Sequence, residues 1–228
     1  MEPGSRLPLS GTASGGVYVK AANGSGGEDL LYETNVTTIP MSWSPDGRAV
    51  LYVTRNQSRD MFLLPLSGER KPVQVVPTLS DESHGQVSPD GKWIAYQSPE
   101  TSKMEIYVRR FPRGEGKWQV STAGGTWPRW RRDSKELFYV DKSVGGKLMA
   151  VEIRTNGTIL QPSSPKALFD FNSIGALPHS FIYHTYAVSA DGQRFLIPSP
   201  ASSSAEETAS PVVVVLNWQS GLAARERR

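Results

Sequence analysis

The chain contains no cysteine and only three histidines in 228 residues. Disulfides and cysteine-ligated metals are therefore excluded, and any imidazole chemistry must come from His84, His179 or His184. The missing cysteine leaves the compartment open, since an exported protein need not use disulfides. No apolar run approaches the roughly 18 residues of a membrane span; the longest is Val212 to Leu216. The opening residues Met1-Glu2-Pro3-Gly4-Ser5-Arg6 also lack the apolar stretch of a signal peptide. The chain is accordingly expected to be soluble and not to insert into a membrane. A formal charge of +3 is too small to imply a nucleic-acid partner. Long segments with helical apolar spacing are missing as well, while 21 glycines and 17 prolines punctuate short apolar runs. That combination places the chain in the all-β class.

What is present is a recurring turn. Ser44-Pro45-Asp46-Gly47 returns as Ser88-Pro89-Asp90-Gly91 and, altered, as Arg131-Arg132-Asp133-Ser134 and Ser189-Ala190-Asp191-Gly192. Proline presets the first corner of a type I turn, Asp bonds back to nearby amides, and Gly accepts the left-handed position that follows. Each copy reads as a hairpin with a bulge at the glycine. The third copy has lost both Pro and Gly, so a differently shaped hairpin is expected there. From Asp to Asp the spacings are 44, 43 and 58 residues, a period of about 43 that absorbs one insertion.

The surrounding columns agree with the spacing. Three residues before each Asp stand Trp43, Val87, Trp130 and Val188; four to six after it come Val50-Leu51-Tyr52, Ile94-Ala95-Tyr96, Leu137-Phe138-Tyr139 and Phe195-Leu196-Ile197. Apolar runs without alternation suit strands covered on both faces. The architecture expected is a β-propeller of four-stranded antiparallel blades, with about five blades or an incomplete section of a larger ring. Residues 1–16 are expected to be disordered and 223–228 to form a charged tail. The propeller occupies 17–222, with a half-blade at 17–37 and repeats at 38–80, 81–122, 123–172 and 182–222. The orphan half-blade and the last repeat are expected to complete one blade together.

Catalytic chemistry is hard to find. No Gly-x-Ser-x-Gly elbow occurs, and His84 beside Asp81 and Glu82 reads as a polar loop. A phosphate loop with a strand lysine and a His-Arg-Asp loop are both missing, so Asp170-Phe171-Asn172 is not read as a kinase triplet. No catalytic residue, metal site or cofactor is assigned. In a propeller, however, each entry into an inner strand arrives at one mouth of the central channel. Six residues before each Asp lie Pro40, His84, Trp127 and Thr185, with His184 adjacent. These five residues form a candidate rim for a peptide or small ligand, although the same residues would also serve simply to close loops. Arg109, Arg110, Arg113, Lys117, Arg129, Arg131, Arg132 and Lys135 make the middle of the chain basic. We read them as a solvated basic face, or a surface for an acidic protein, in preference to nucleic acid.

The run Ser88-Pro89-Asp90-Gly91-Lys92-Trp93-Ile94-Ala95-Tyr96, followed in order by Glu105-Ile106-Tyr107-Val108, Gly116-Lys117-Trp118-Gln119-Val120-Ser121 and Pro128-Arg129-Trp130, resembles TolB-like, WD-repeat-like β-propellers. It is most similar to those that follow eukaryotic-like serine/threonine kinase domains in bacteria, and Val213-Val214-Val215-Leu216-Asn217-Trp218 resembles their closing strand. The resemblance implies a non-catalytic scaffold or sensor that binds a protein or peptide, on the extracytoplasmic or periplasmic side, here detached from any kinase. A monomer is expected. The alternatives are the accessory propeller of a serine peptidase, or a small-ligand or enzymatic site in the channel using His84 and His184.

Overall fold

In the computed structural model, residues 15–55, 58–77, 80–142, 146–171 and 186–197 are described, and every regular element among them is a strand. The hairpin β1 (Gly15–Val19) and β2 (Asp29–Thr34) comes first. The next sheet is β3 (Thr37–Trp43), β4 (Ala49–Arg55), β5 (Arg59–Pro65) and β6 (Val73–Gln74), whose spatial order is the chain order. A second sheet of the same kind holds β7 (Ser83–Val87), β8 (Trp93–Ser98), β9 (Glu105–Arg110) and β10 (Lys117–Gln119). The third contains β11 (Thr126–Trp130), β12 (Glu136–Asp141), the long β13 (Lys147–Asn156), β14 (Ile159–Pro162) and β15 (Lys166–Asp170). A short pair, β16 (Ala187–Val188) and β17 (Phe195–Leu196), completes the described strands. All pairings are antiparallel, as hairpin-sized connections require.

The third sheet departs from the expected pattern. β15 pairs with the first half of β13, but the second half of β13 turns back separately on β14. The turn Asn156-Gly157, with Gly157 at φ 58°, makes that extra hairpin. The closing strand expected at 213–218 lies outside the described residues.

The sheets stack face to face, and this explains the unalternating apolar runs. On β4, Val50 and Tyr52 face the β1–β2 hairpin together with Val17 and Leu64, while Leu51 and Val53 join Val87, Ile94 and Tyr96 in the next interface. On β8, Trp93 and Ala95 point the opposite way, into a core with Trp130, Leu137, Tyr139 and Val151. Phe138, Val140 and Leu148 then meet Tyr186 and Phe195. Each fully buried Val, Leu, Ile or Phe among them contributes roughly 1.5–3 kcal/mol. Radial stacking of this kind, sheet after sheet, is the β-propeller architecture. The column before the turn aspartates follows it: Val87 and Trp130 are buried, whereas Trp43 is 52% exposed, because it pairs with Val50 on the face of its sheet that, among the described residues, only the two strands β1 and β2 cover.

The turns reproduce one another atom by atom. In the first, Ser44 Oγ donates to Asp46 Oδ1 at 2.6 Å and accepts from Ala49 N at 2.9 Å, while Arg48 N donates to Asp46 Oδ1 at 3.1 Å. The second has the same three bonds at the same lengths through Ser88, Asp90, Lys92 and Trp93. Contrary to expectation, the third turn keeps this shape. Ser134 adopts φ 62° where Gly47, Gly91 and Gly192 take 70–72°. The Arg131 guanidinium replaces the serine hydroxyl, donating to both Asp133 oxygens at 2.8 and 3.0 Å and to Glu136 at 2.7 Å. Ser134 offsets the strain of its left-handed backbone by a second role: its Oγ accepts from Asp90 N at 3.0 Å and ties two sheets together.

Candidate functional site

The inner strands β3, β7 and β11 all slip register near their starts, between Pro40 and Ser42, between Ser83 and Gln86, and between Thr126 and Arg129. An extra residue in one strand of an antiparallel pair bends it and re-aims a side chain. At two of the three places the bulge turns the backbone left-handed, with φ 53° at His84 and 55° at Trp127. Proline cannot take that conformation, and Pro40 stands exposed at the equivalent position. The residue after His84 has to be small, because a Cβ on Gly85 would lie 2.5 Å from Met61 Sδ and 3.0 Å from Leu51 Cδ2.

The slips bring His84 and Trp127 together from successive sheets, edge to face, with ring centroids 6.3 Å apart. Both are buried, at 2% and 1% exposure, so of the predicted rim residues that are described only Pro40 is open to solvent. Gln97 clamps the pair: its Oε1 accepts from Trp127 N at 3.0 Å and its Nε2 donates to Ser83 Oγ at 3.1 Å. From the other side the Tyr186 hydroxyl donates to Trp127 O at 2.9 Å. The exposed Lys142 covers the indole, with Nζ 4.1 Å from the ring centroid, a favourable cation–π placement. His184 and Thr185, the remaining predicted rim residues, lie outside the described residues, as does His179.

Burial, with Arg59, Lys142 and Arg129 nearby in that order of influence, pushes the His84 imidazole down from 6.5 to about 4. At neutral pH it is therefore an uncharged ring in a cationic surround. Burial also lowers Lys142 and Arg129 and raises the Tyr186 phenol. Among the described residues, no group of three or more His, Asp or Glu side chains is placed to hold a metal ion. Chemically the arrangement suits recognition: a cation over an indole, backed by a neutral imidazole and a half-buried guanidinium.

Sequence reasoning missed Gln97, Lys142 and Tyr186. A glutamine ending the apolar run Trp93-Ile94-Ala95-Tyr96 was the available signal, since a buried amide needs partners. It also placed Arg129 on a solvated face. The structure puts it on the inner strand, its Nε buried and without a hydrogen-bond partner among the described residues. The basic stretch does not form one face: Lys117 pairs with Glu100, and Arg131 with Asp133 and Glu136.

No family profile matches the chain. An uncharacterized protein of Agrobacterium fabrum is 24% identical over 155 residues, covering 64% of this chain and 51% of that protein. Among solved structures, a putative TolB from Agrobacterium tumefaciens aligns with a TM-score of 0.54 at 19% identity, over 64% of this chain and 55% of the other. TolB from Acinetobacter baumannii gives 0.51 at 18% identity, over 74% and 39%. A puromycin-hydrolyzing peptidase of Mycobacterium tuberculosis gives 0.53 at 18% identity, over 69% and 27%. The chain thus spans about half the length of the curated relative it matches. At these identities the likeness establishes the fold, a β-propeller with TolB-like neighbours.

Proposed function

We propose that the chain is a non-catalytic propeller scaffold that binds a protein or peptide partner at the inner blade ends. The observation that carries this reading is the meeting of His84 and Trp127 under the exposed Lys142. Two successive bulges bring residues of separate sheets together beneath one exposed cation, which a partner's acidic group could reach. The module acts as a monomer on the extracytoplasmic side of a bacterial membrane, as a sensor piece detached from a serine/threonine kinase. It needs no cofactor.

The test is capture from a bacterial envelope fraction, comparing the native chain with Lys142→Glu. A protein held by the native chain and lost by a variant of unchanged melting temperature supports the reading. Equal retention by both chains, or retention by neither, overturns it. Incubation with labelled ATP is expected to give no phosphoryl transfer.

A second reading is suggested by the likeness to the puromycin-hydrolyzing peptidase, namely an accessory propeller beside a hydrolase domain. It predicts that adding such a domain changes which peptides are cleaved. A third reading, catalysis in the channel, requires an activity lost in both His84→Asn and His184→Ala.

A further inference from the structure

Away from the inner blade ends, a cavity of about 400 Å³ opens between the first two complete sheets, lined by Gln74, Val75 and Pro77 on one side and Arg109, Arg110, Arg113 and Gly114 on the other. Its size lies at the lower end of the range for small-ligand sites. Gln74, Arg109 and Arg110 belong to strands of those two sheets, and the other lining residues to the connections that follow β6 and β9.

Strand geometry divides the arginines. On β9, Tyr107 faces the first sheet and Val108 the third. By the period of two, Arg109 shares the side of Tyr107, while Arg110 turns the other way and lays its guanidinium 5.7 Å over the Trp93 ring. Arg113 comes from the turn that follows. That turn folds back closely: a Cβ on Gly114 would stand 2.9 Å from Arg110 Cβ, and Gly114 itself has φ 154°.

The arginines at this cavity make no ion pair among the described residues, although Arg109 lies beside the Tyr96 phenol and Arg110 over the Trp93 ring. Other basic residues of the same stretch are paired, Lys117 with Glu100 and Arg131 with Asp133 and Glu136. None of the ion pairs among the described residues involves Arg109, Arg110 or Arg113. Glu115 is exposed and does not line the cavity, and Gln74 donates its amide to Asp60. Like charges gathered at a concave surface focus a field that draws counter-ions. The planar fork of arginine matches a carboxylate or phosphate with two parallel hydrogen bonds.

We propose that this cavity is an oxyanion site, in which Arg109 and Arg113 contact a carboxylate or phosphate group and Arg110 adds to the field. The group is presented either by a small anionic molecule or by an acidic peptide. Calorimetric titration at low salt distinguishes the two sources, using inorganic pyrophosphate and a hexaglutamate peptide as probes and hexaglutamine as a control. The native chain is compared with Arg109→Gln/Arg113→Gln, with Arg113→Gln alone in case the double variant fails to fold, and with Arg132→Gln/Lys135→Gln.

Saturable binding of at least one charged probe is expected. It should weaken by about tenfold or more in the double variant, the loss of roughly one charge-assisted hydrogen bond, and be unchanged in Arg132→Gln/Lys135→Gln. Added salt should weaken it further. Pyrophosphate binding alone identifies a small-molecule site, and hexaglutamate binding alone a site for a partner's acidic segment. Lack of saturable binding by either probe at low salt overturns the proposal. So does undiminished affinity in folded Arg113→Gln and Arg109→Gln/Arg113→Gln.

Discussion

Acid should loosen this protein through His84 before it reaches the carboxylates. The imidazole is held near 4 in the fold, against 6.5 when free, by burial first and then by Arg59, Lys142 and Arg129. A base with a lowered folded pKa is less protonated in the native than in the unfolded state. Its contribution is therefore complete above pH 6.5 and drains away as the pH falls towards 4. A difference of two to three units corresponds to about 3 kcal/mol in all, lost at no more than about 1.4 kcal/mol per pH unit. The turn aspartates Asp46, Asp133 and Asp191 are held below 3.8 by hydrogen bonds from Ser44, Arg131 and Ser189 respectively. Their contribution is present above 3.8 and lost only at lower pH, outside the window of His84.

The assay is urea unfolding at pH 5 to 8, comparing the native chain with His84→Asn. Asn is chosen because it tolerates a left-handed backbone better than most residues. The variant should be less stable at pH 8 and should lose much less stability on going to pH 5. His179 and His184 are present in both proteins, so their contributions cancel in the difference. Parallel pH profiles, or a His84 titration midpoint near 6.5 by NMR, would refute the reasoning.

Three further perturbations follow from the packing. Gly85→Ala places a methyl 2.5 Å from Met61 Sδ in a filled interface and should cost about 1–3 kcal/mol by overpacking; an unchanged urea midpoint would contradict this. Ser121→Ala removes a hydroxyl that donates to the buried Glu105 carboxylate and accepts from Ile106 N at 2.8 Å. A loss of about 2–3 kcal/mol is expected, partly recovered by adding Glu105→Gln, and chemical denaturation of the two variants measures both. Trp130→Phe removes the indole bond to Gln86 O at 3.1 Å from the core between the second and third sheets. It should cost about 1–3 kcal/mol, and a melting temperature equal to that of the native chain would count against the interface described.

The all-β propeller was legible in the residues themselves because its information is local and repeated. A Pro-Asp-Gly corner writes its own backbone, and a strand covered on both faces must be apolar at consecutive positions, as Ile94-Ala95-Tyr96 is. The third turn shows the limit of that logic. Ser134 takes the left-handed place without a glycine because Arg131 braces Asp133 and because the Ser134 hydroxyl receives Asp90 N from another sheet. The site depended still more on tertiary structure. That His84 and Trp127 occupy equivalent positions was visible in the spacing. That they meet beneath Lys142, clamped by Gln97 and Tyr186, was not, because residues some 13 to 102 positions from His84 converge only when sheets stack. The basic stretch divides for the same reason: one-dimensional charge density does not say which cations find carboxylates. The composition and period of the chain alone determined a repeated sheet architecture; only the packing of one sheet on the next decided which polar groups were spent on the fold and which, as at Arg109 and Arg113, stayed outside any ion pair among the described residues.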